Sequence, residues 1–272
     1  MSHVFDDAIA VTALDDGAFR AHAHPAYANM VGPFGGITAA TVVHALQSRP
    51  DVLGHPLALT LNYAAPIGDG DWELHPSVIR TNRTNQHWVF HLVQNGQTVS
   101  TGSAVFGLHR PTWESTESVP PAVPAADEVD AVDFPDFIAW AANYDKRFVT
   151  GALAAGPDGK SDDSTSTLWI RDAPERPLDY PSLTSITDNF YPRVFLRHGT
   201  YMPAGTITLT TYFHATPDEL AAQGDRHVLA TVRAARFGNG HFDADGQIWS
   251  GTGDDAVLLA TTHQLVYFKN PG

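Results

Sequence analysis

The order of predicted elements repeats in the two halves of this 272-residue chain, and that repetition constrains the fold more than any single motif. A glycine-rich turn opens a helix candidate in VGPFGGITAATVVHALQ, and SLTSITDNFYPRVF at 182–195 is its counterpart. Predicted strands follow each helix. The stretch between the halves, 116–135, is rich in proline and acidic residues, which is typical of a linker. The sequence therefore predicts an N-terminal unit, 1–115, and a C-terminal unit, 136–272.

The predicted strands are short and alternate in polarity, which is typical of antiparallel sheets with one buried face. The dipeptide Asn95-Gly96 is a strong hairpin signal between two of them. One helix followed by antiparallel strands, present twice, predicts an α+β fold in which a sheet wraps each helix. The strands are HPLALTLNYAAP, ELHPSVIRTNRT, HWVFHLVQNG and QTVSTGSAVFGLHR in the first half, and TITLTTYFHATP, HVLATVRAARFG, HFDADGQIWSG and AVLLATTHQLVYF in the second.

Composition excludes several classes of function. A formal net charge of -14, from 16 basic and 30 acidic residues, makes the average surface repel nucleic-acid phosphates. No apolar run is long enough to predict a membrane span, and the start MSHVFDDAIAV lacks the pattern of a secretory signal, so a cytoplasmic location is the default expectation. The absence of cysteine excludes disulfides and thiolate nucleophiles.

Gln264 is the residue that most needs an explanation. In a strand over LLATTHQLVYFKN it shares a face with Ala260, Thr262 and Val266, so it interrupts a largely apolar row. A buried amide without partners costs about 1–3 kcal/mol, which predicts a structural partner or a bound substrate. Comparing the halves places Gln264 against Val105, so this amide belongs to one half only.

Asp188, in SITDNFYP, is a candidate general base. Comparing the halves places it near Thr38, so the first half has no matching carboxylate. A capping role at a helix start is the ordinary explanation. If the helix begins near Pro181 or Ser182, however, Asp188 lies two turns in and faces a cleft or solvent. A carboxylate in a partly apolar cleft has a raised pKa and can accept a proton from water.

Thr206 and the pair Gly35-Gly36 are weaker candidates by themselves. The alternation in TITLTTYFH places Thr206 on one face with Thr208, Thr210 and Tyr212. Threonine is common in strands because its β-branched side chain favours pleated surfaces, so Thr206 needs no functional explanation by itself. The backbone amides of Gly35 and Gly36, at a helix start, could bind an oxyanion or a phosphate. A tight turn that needs small residues explains the same glycines.

Together these stretches resemble one family. The whole chain is similar to the acyl-CoA thioesterase II family, whose tandem fold is a double hotdog, through LLATTHQLVYFKN, GHFDADGQIW, SITDNFYP and TITLTTYFH. The resemblance implies that Asp188, Thr206 and Gln264 position and activate a hydrolytic water. The chain departs from the family pattern at Ile37, where these enzymes often have glutamine, and at Thr208, which replaces an acidic residue.

The resemblance implies hydrolysis of a fatty or related acyl-CoA to a free acid and coenzyme A, with no cofactor. Gly35 and Gly36 are the expected substrate-binding positions, and further self-association into a homo-oligomer is expected from the family. Fourteen histidines show no metal-binding spacing, and a GxSxG motif is absent. The candidate basic residues for the coenzyme A phosphates are Arg193, Arg197, Arg233, Arg236 and Lys269.

Two other functions stay open. An enoyl-CoA hydratase-like enzyme on the same scaffold would need an aspartate and a histidine together at the helix, and His198 is the nearest candidate in sequence. A non-catalytic acyl-CoA-binding protein would use the three polar residues only structurally. The length of the acyl chain depends on the depth of the cleft, which the sequence does not show.

Overall fold

The computed structural model describes residues 2–133, 138–153 and 160–269. The α-helices are α1 (Val4–Ala8), α2 (Gly35–Gln47), α3 (Tyr180–Ile186), α4 (Arg193–His198) and α5 (Pro217–Gln223). The first-half strands are β1 (Val11–Ala13), β2 (Phe19–His22), β3 (His55–Tyr63), β4 (Asp71–Thr81), β5 (Asn85–Gln94) and β6 (Gln97–Gly107). The second-half strands are β7 (Tyr144–Thr150), β8 (Ser166–Asp172), β9 (Ala204–Phe213), β10 (Val228–Arg233), β11 (Phe237–Gly238), β12 (His241–Trp249) and β13 (Leu258–Phe268).

All these strands belong to one sheet, and every described pairing is antiparallel. The order is β1-β2-β4-β5-β6-β3-β9-β13-β12-β10-β8-β7, with β11 attached to β12. The first-half strands thus lie on one side and the second-half strands on the other, joined where β3 pairs with β9. This arrangement confirms the predicted α+β double hotdog.

The predicted hairpin is confirmed at its turn. Asn95 and Gly96 connect β5 to β6 and both have positive φ angles, 52° and 74°. A two-residue turn with both central residues in this region matches the right-handed twist of the flanking strands. Asparagine and glycine tolerate that conformation better than other residues, which explains the signal in the sequence.

The helices α2 and α3 pack together against the inner face of the sheet. Nearly every residue of both helices is buried. The two helices approach each other tightly at Gly36, where an added Cβ would lie 2.6 Å from the Ser185 carbonyl oxygen of α3 and also 2.6 Å from the Phe34 ring. Glycine is therefore required here by the distance between the helices.

The second-half helix is shorter than the predicted 182–195 helix. It begins after Asp179, whose carboxylate accepts a hydrogen bond from the Ser182 backbone at 2.8 Å, and it ends at Ile186. A separate helix, α4, starts only after Pro192, because proline lacks an amide donor and disfavours helical geometry before it. Asp188 consequently follows the end of α3, so the expectation that it lies two turns into a helix was wrong.

The two halves share an irregularity near the start of β3 and β9. In the first half, Pro56 pairs with Phe106 and Leu57 has no partner in the ladder with β6. In the second half, Thr206 pairs with Val266 and Ile207 is skipped. Each half therefore has a β-bulge at the same place, which aligns the two sheets residue by residue.

This alignment corrects one comparison made from the sequence. Counting two residues back from Phe106 and from Val266 reaches Ala104 and Gln264. Ala104 pairs with Leu59 of β3 and Gln264 pairs with Leu209 of β9, and these two leucines lie equally far after the bulges. Gln264 therefore corresponds to Ala104, and the sequence comparison with Val105 was one residue out of register.

The predicted linker packs against the second half. The Trp169 indole donates to the Pro124 carbonyl at 2.9 Å, and Arg147 donates to the Ala126 carbonyl at 2.9 Å. Val123 and Val129 contact the apolar cluster that contains Trp169. The predicted boundary at 135/136 and the end at 270–272 lie outside the described residues, so the division into units stays a proposal. None of the helices in the described ranges is long and apolar enough to cross a membrane.

Candidate active site

The bulge in β9 decides which way Thr206 faces. Simple alternation predicts that Thr206 shares a face with Thr208. Because Ile207 has no partner in the ladder, Thr206 lies opposite Val266, which is buried, while Thr208 lies opposite the exposed Leu265. Directly paired residues share a face, so the bulge turns Thr206 towards the inner face of the sheet. The simple alternation was therefore wrong at this residue.

Gln264 links the other two predicted catalytic residues, Asp188 and Thr206. Its side chain is on the buried face of β13, as predicted, and is 7% exposed. Its Nε2 donates to Asp188 Oδ1 at 2.9 Å, and its Oε1 accepts a longer hydrogen bond from Thr206 Oγ1 at 3.4 Å. The structure thus brings Asp188, Thr206 and Gln264 together, from the end of α3, the start of β9 and the middle of β13.

Asp188 is a buried carboxylate with an altered proton affinity. It is 7% exposed, and burial raises its pKa to about 7, while hydrogen bonds from the Gly36 backbone and the Gln264 side chain act in the opposite direction. Burial dominates because the charged form loses its hydration. A carboxylate with a pKa near neutrality is well matched to accept a proton from water at physiological pH.

Gly35 and Gly36, from the first half of the chain, lie against Asp188. The Gly36 N–H donates to the Asp188 carboxylate, at the positive end of the α2 dipole. A Cβ added to Gly35 would lie 2.7 Å from Asp188 Oδ2, so a larger residue there would collide with the carboxylate. The predicted role of these glycines in binding substrate stays a prediction, and the Gly36 amide is engaged by Asp188 in this structure.

Tyr63 is a further residue at the site that the sequence analysis did not identify. Its hydroxyl donates to the Gly35 carbonyl at 2.9 Å, and burial, together with the charge of Asp188, raises its pKa well above the ordinary value. Tyr63 therefore stays protonated. The sequence did contain a signal for Tyr63. Leu59, Leu61 and Tyr63 alternate on one face of β3, and Tyr63 is the one of the three that carries a polar atom.

Two buried polar side chains near the three residues have no hydrogen-bond partner in the part of the chain that the structure describes. They are the carboxamide of Asn189, which is 2% exposed, and the hydroxyl of Thr262, which is 3% exposed. By contrast, Thr187 and Thr211 bond to each other at 2.9 Å. An unpaired buried polar group costs about 1–3 kcal/mol, so each of these two needs an explanation. The sequence placed Thr262 in the row of Gln264 but assigned it no role.

One of the basic residues considered for coenzyme A is structural. Arg193 is 1% exposed and donates to the Tyr191 carbonyl, to Ser166 Oγ and to the Ser164 carbonyl. Most of its N–H donors are used by these acceptors, and the buried guanidinium is not accessible to a phosphate. Among the described residues, no group of three or more histidine, aspartate or glutamate side chains is arranged to hold a metal ion.

Two surface cavities lie away from the three residues. One of about 290 Å³ is lined by His44, Asp179 and Tyr180, and one of about 510 Å³ is lined by Leu14 and Arg49 among others. Both lie near the carboxyl end of α2, whereas Asp188 meets its amino end. We place the site at the convergent polar groups, because chemistry needs a base and donors as well as space.

Two family models match the chain. The acyl-CoA thioesterase N-terminal domain matches residues 24–107, and the acyl-CoA thioesterase C-terminal domain matches residues 117–268. The second match alone covers more than half of the chain and includes Asp188, Thr206 and Gln264. No curated protein matches the chain significantly.

Solved structures with the same fold span the whole chain. A conserved protein of unknown function with a hot dog fold from Alicyclobacillus acidocaldarius is 42% identical, with 100% of both chains covered and a TM-score of 0.94. A putative thioesterase II from Thermobifida fusca YX is 21% identical, covering 98% of this chain and 97% of that one, with a TM-score of 0.80. An acyl-CoA thioesterase II, TesB2, from Mycobacterium marinum is 16% identical, covering 98% and 99%, with a TM-score of 0.74. The last two are distant in sequence and show the fold alone.

Proposed function

Because the chain belongs to the acyl-CoA thioesterase family, we propose that it hydrolyses a fatty or related acyl-CoA to a free acid and coenzyme A. The observation that carries this proposal is the convergence of Asp188, Thr206 and Gln264 on one another through hydrogen bonds. A thioester carbonyl is electrophilic enough for direct attack by water. No covalent intermediate on the enzyme is needed, which suits a chain without cysteine.

In the proposed mechanism, Asp188 takes a proton from water as the water oxygen attacks the thioester carbon. Thr206 holds the same water by its hydroxyl, and Gln264 fixes the orientation of both side chains through its two polar atoms. The tetrahedral intermediate collapses when its carbon–sulfur bond breaks. The proton held by Asp188 then passes to the departing thiolate, which restores the carboxylate. The Gly35 amide is the proposed donor to the carbonyl oxygen as charge develops there.

The contacts of Asp188 favour hydrolysis over hydration. Its hydrogen-bond partners in the described residues are Gln264 and the Gly36 backbone, and no histidine is among them. A hydratase would need a second titrating group to protonate the carbon next to the thioester. Burial raises the pKa of Asp188 to about 7, and carboxylates with such raised pKa values cluster at functional sites.

Release of free thiol from saturated acyl-CoA substrates of increasing length tests the proposal. Hydrolysis liberates coenzyme A, whereas hydration of an enoyl-CoA leaves the thioester intact. We expect Asp188→Asn to lower kcat by about 10²- to 10⁴-fold, since it removes the base and preserves the shape. Asp245→Asn, at an exposed position on β12 of the same half, is the matched control and should retain activity.

A folded Asp188→Asn protein with unchanged turnover would contradict the mechanism and support a structural role for the carboxylate. Absence of thiol release by the wild-type protein across all acyl lengths would support the non-catalytic alternative. Self-association into a homo-oligomer and a cytoplasmic location stay proposals. Light scattering after size-exclusion chromatography measures the first of these directly.

A further inference from the structure

The polar groups on the inner face continue beyond the three proposed catalytic residues. Thr262 lies two residues before Gln264 on the same face of β13, which is roughly 6–7 Å along the strand. It is opposite Gly246 on β12 and Thr211 on β9. The Thr211 hydroxyl is bonded to Thr187, whereas the Thr262 hydroxyl has no partner in the described part of the chain.

Asn189 lies in the turn that follows α3, next to Asp188 in the chain. The turn is held by backbone hydrogen bonds from Asn189 to the Ile186 carbonyl at 3.0 Å and from Phe190 to the Asp188 carbonyl at 2.8 Å. Asn189 is therefore fixed beside the proposed base. Its Nδ2 and Oδ1 are both buried and without a partner among the described residues.

The same turn packs onto the strands that carry Thr262. A Cβ placed on Gly246 would lie 2.8 Å from the Thr262 methyl group and 3.4 Å from the Phe190 ring. Phe190 and Thr262 therefore meet over Gly246, one residue from Asn189. Thr262 lies on the side of Gln264 away from Thr206, and Asn189 directly precedes Phe190 in the turn that packs there.

Buried polar groups are nearly always paired in folded proteins, and unpaired ones weaken the fold. Their occurrence as neighbours of a proposed active site indicates a ligand that pairs with them. An acyl chain attached to a thioester at Asp188 and Gln264 would extend along this inner face. Thr262 is two residues from Gln264 along β13, so an oxygen bound by its hydroxyl would belong to a part of the acyl chain close to the thioester.

We propose that Asn189 and Thr262 bind an oxygen substituent of the acyl group, so that the preferred substrate is a short acyl-CoA with a hydroxyl or oxo group near the thioester. This inference rests on the proposed thioesterase function. Asn189 provides both a donor and an acceptor, and Thr262 provides a hydroxyl that does either. An unsubstituted chain in the same place leaves both groups unpaired.

The test compares 3-hydroxybutanoyl-CoA with butanoyl-CoA, which differ only by the substituent. We expect Thr262→Val, which keeps the shape and removes the hydroxyl, to lower kcat/KM about 5- to 20-fold for the hydroxylated thioester. The value for butanoyl-CoA should stay within about twofold, and the thermal midpoint should stay constant or rise. Asn189→Leu should change the ratio of the two kcat/KM values in the same direction.

Thr211→Val is the matched control, because Thr211 is opposite Thr262 on the same face and its hydroxyl is already paired. This variant should lower the thermal midpoint and leave the substrate ratio unchanged. If Thr262→Val and Asn189→Leu lower the thermal midpoint and leave the ratio unchanged, the two groups serve the fold alone, and the inference is overturned.

Binding of non-hydrolysable analogues separates this inference from the proposed function. S-(3-hydroxybutyl)-CoA and S-butyl-CoA are thioethers, and calorimetry gives their affinities without any turnover. Tighter binding of the hydroxylated analogue by the wild-type protein, lost in Thr262→Val, would support the recognition of oxygen even if neither thioester is hydrolysed. Equal affinities in a protein that hydrolyses both thioesters would overturn the inference and leave the thioesterase proposal standing.

Discussion

The two halves of the molecule share a sheet register, including the β-bulge at Leu57 and Ile207, but differ at positions that face the helices. The second half has Thr206 where the first has Pro56, and Gln264 where the first has Ala104. The difference is one of side chains on matching backbones. A duplicated fold can therefore carry catalytic candidates in only one of its two copies. The polar residues, rather than the fold, identify which copy carries them.

The half without the catalytic candidates still contributes to the site. Its helix start provides Gly35 and Gly36 against Asp188, and its strand β3 provides Tyr63. The position equivalent to Tyr63 in the second half is Phe213, since Tyr63 pairs with Ser100 and Phe213 with Ala260. Each half thus has polar groups that the other lacks, and the candidate site contains residues of both.

Among the changes that test this comparison, replacing Gln264 by the residue of the other half should have the largest effect. We expect Gln264→Ala to lower kcat by about 10²- to 10³-fold, because it frees Asp188 and Thr206 from their common partner. Thiol release under saturating substrate measures the loss. Adding Ala104→Gln to this variant should not restore activity, and recovery would show that the halves are interchangeable.

Opening the contact between the halves should have the next largest effect. Gly36→Ala adds a methyl group 2.6 Å from the Ser185 carbonyl oxygen, so α2 and α3 must separate. We expect a loss of about 1–3 kcal/mol in the free energy of unfolding and a tenfold or greater loss of activity. Denaturant unfolding gives the first value. Gly251→Ala is the control, because an added Cβ there meets nothing within 4 Å. Equal stability of the two variants would contradict the tight contact.

The pH dependence of the reaction should reflect Asp188. Since burial raises its pKa to about 7, the basic form is lost below that pH and kcat/KM should fall about tenfold per pH unit. The folded-state pKa is above the unfolded value, so the protonated form contributes stability that is lost as pH rises from about 4 to about 7. Asp188→Asn should therefore gain stability relative to the wild type over that range. A pH-independent difference would show that Asp188 does not titrate there.

Replacing Tyr63 by phenylalanine, the residue at the equivalent position of the second half, should have the smallest effect. Tyr63→Phe removes the hydrogen bond to the Gly35 carbonyl and keeps the ring, so we expect about a 3- to 10-fold loss in kcat/KM. The same assay at fixed pH measures it. Phe213→Tyr is the matched change in the other half and should not raise activity. A loss as large as that of Gln264→Ala would assign Tyr63 a direct part in the chemistry.

Much of the architecture follows from local patterns in the sequence. The turn at Asn95-Gly96, the repeated order of helix and strands, and the burial of Gln264 are all confirmed. These features depend on φ preferences and on the alternation of side chains over a few residues. They are readable from the sequence because nearest neighbours along the chain decide them.

The geometry of the site was less predictable. A bulge at Ile207 reverses the face of Thr206, and the end of α3 at Ile186 places Asp188 in a turn. Strict alternation and an uninterrupted helix both predicted otherwise, because register shifts and helix ends depend on what packs against them. Pro192 was a visible warning that the helix stops early.

By itself the sequence determined the α+β duplication, the strand that carries Gln264 and the three polar residues to consider. Only the tertiary structure decided that Asp188 lies beneath the start of a helix from the other half, with Gly36 as its donor. The residues that meet there are about 150 positions apart in the chain. Burial in that contact is what moves the pKa of Asp188 to about 7, and no local pattern encodes it.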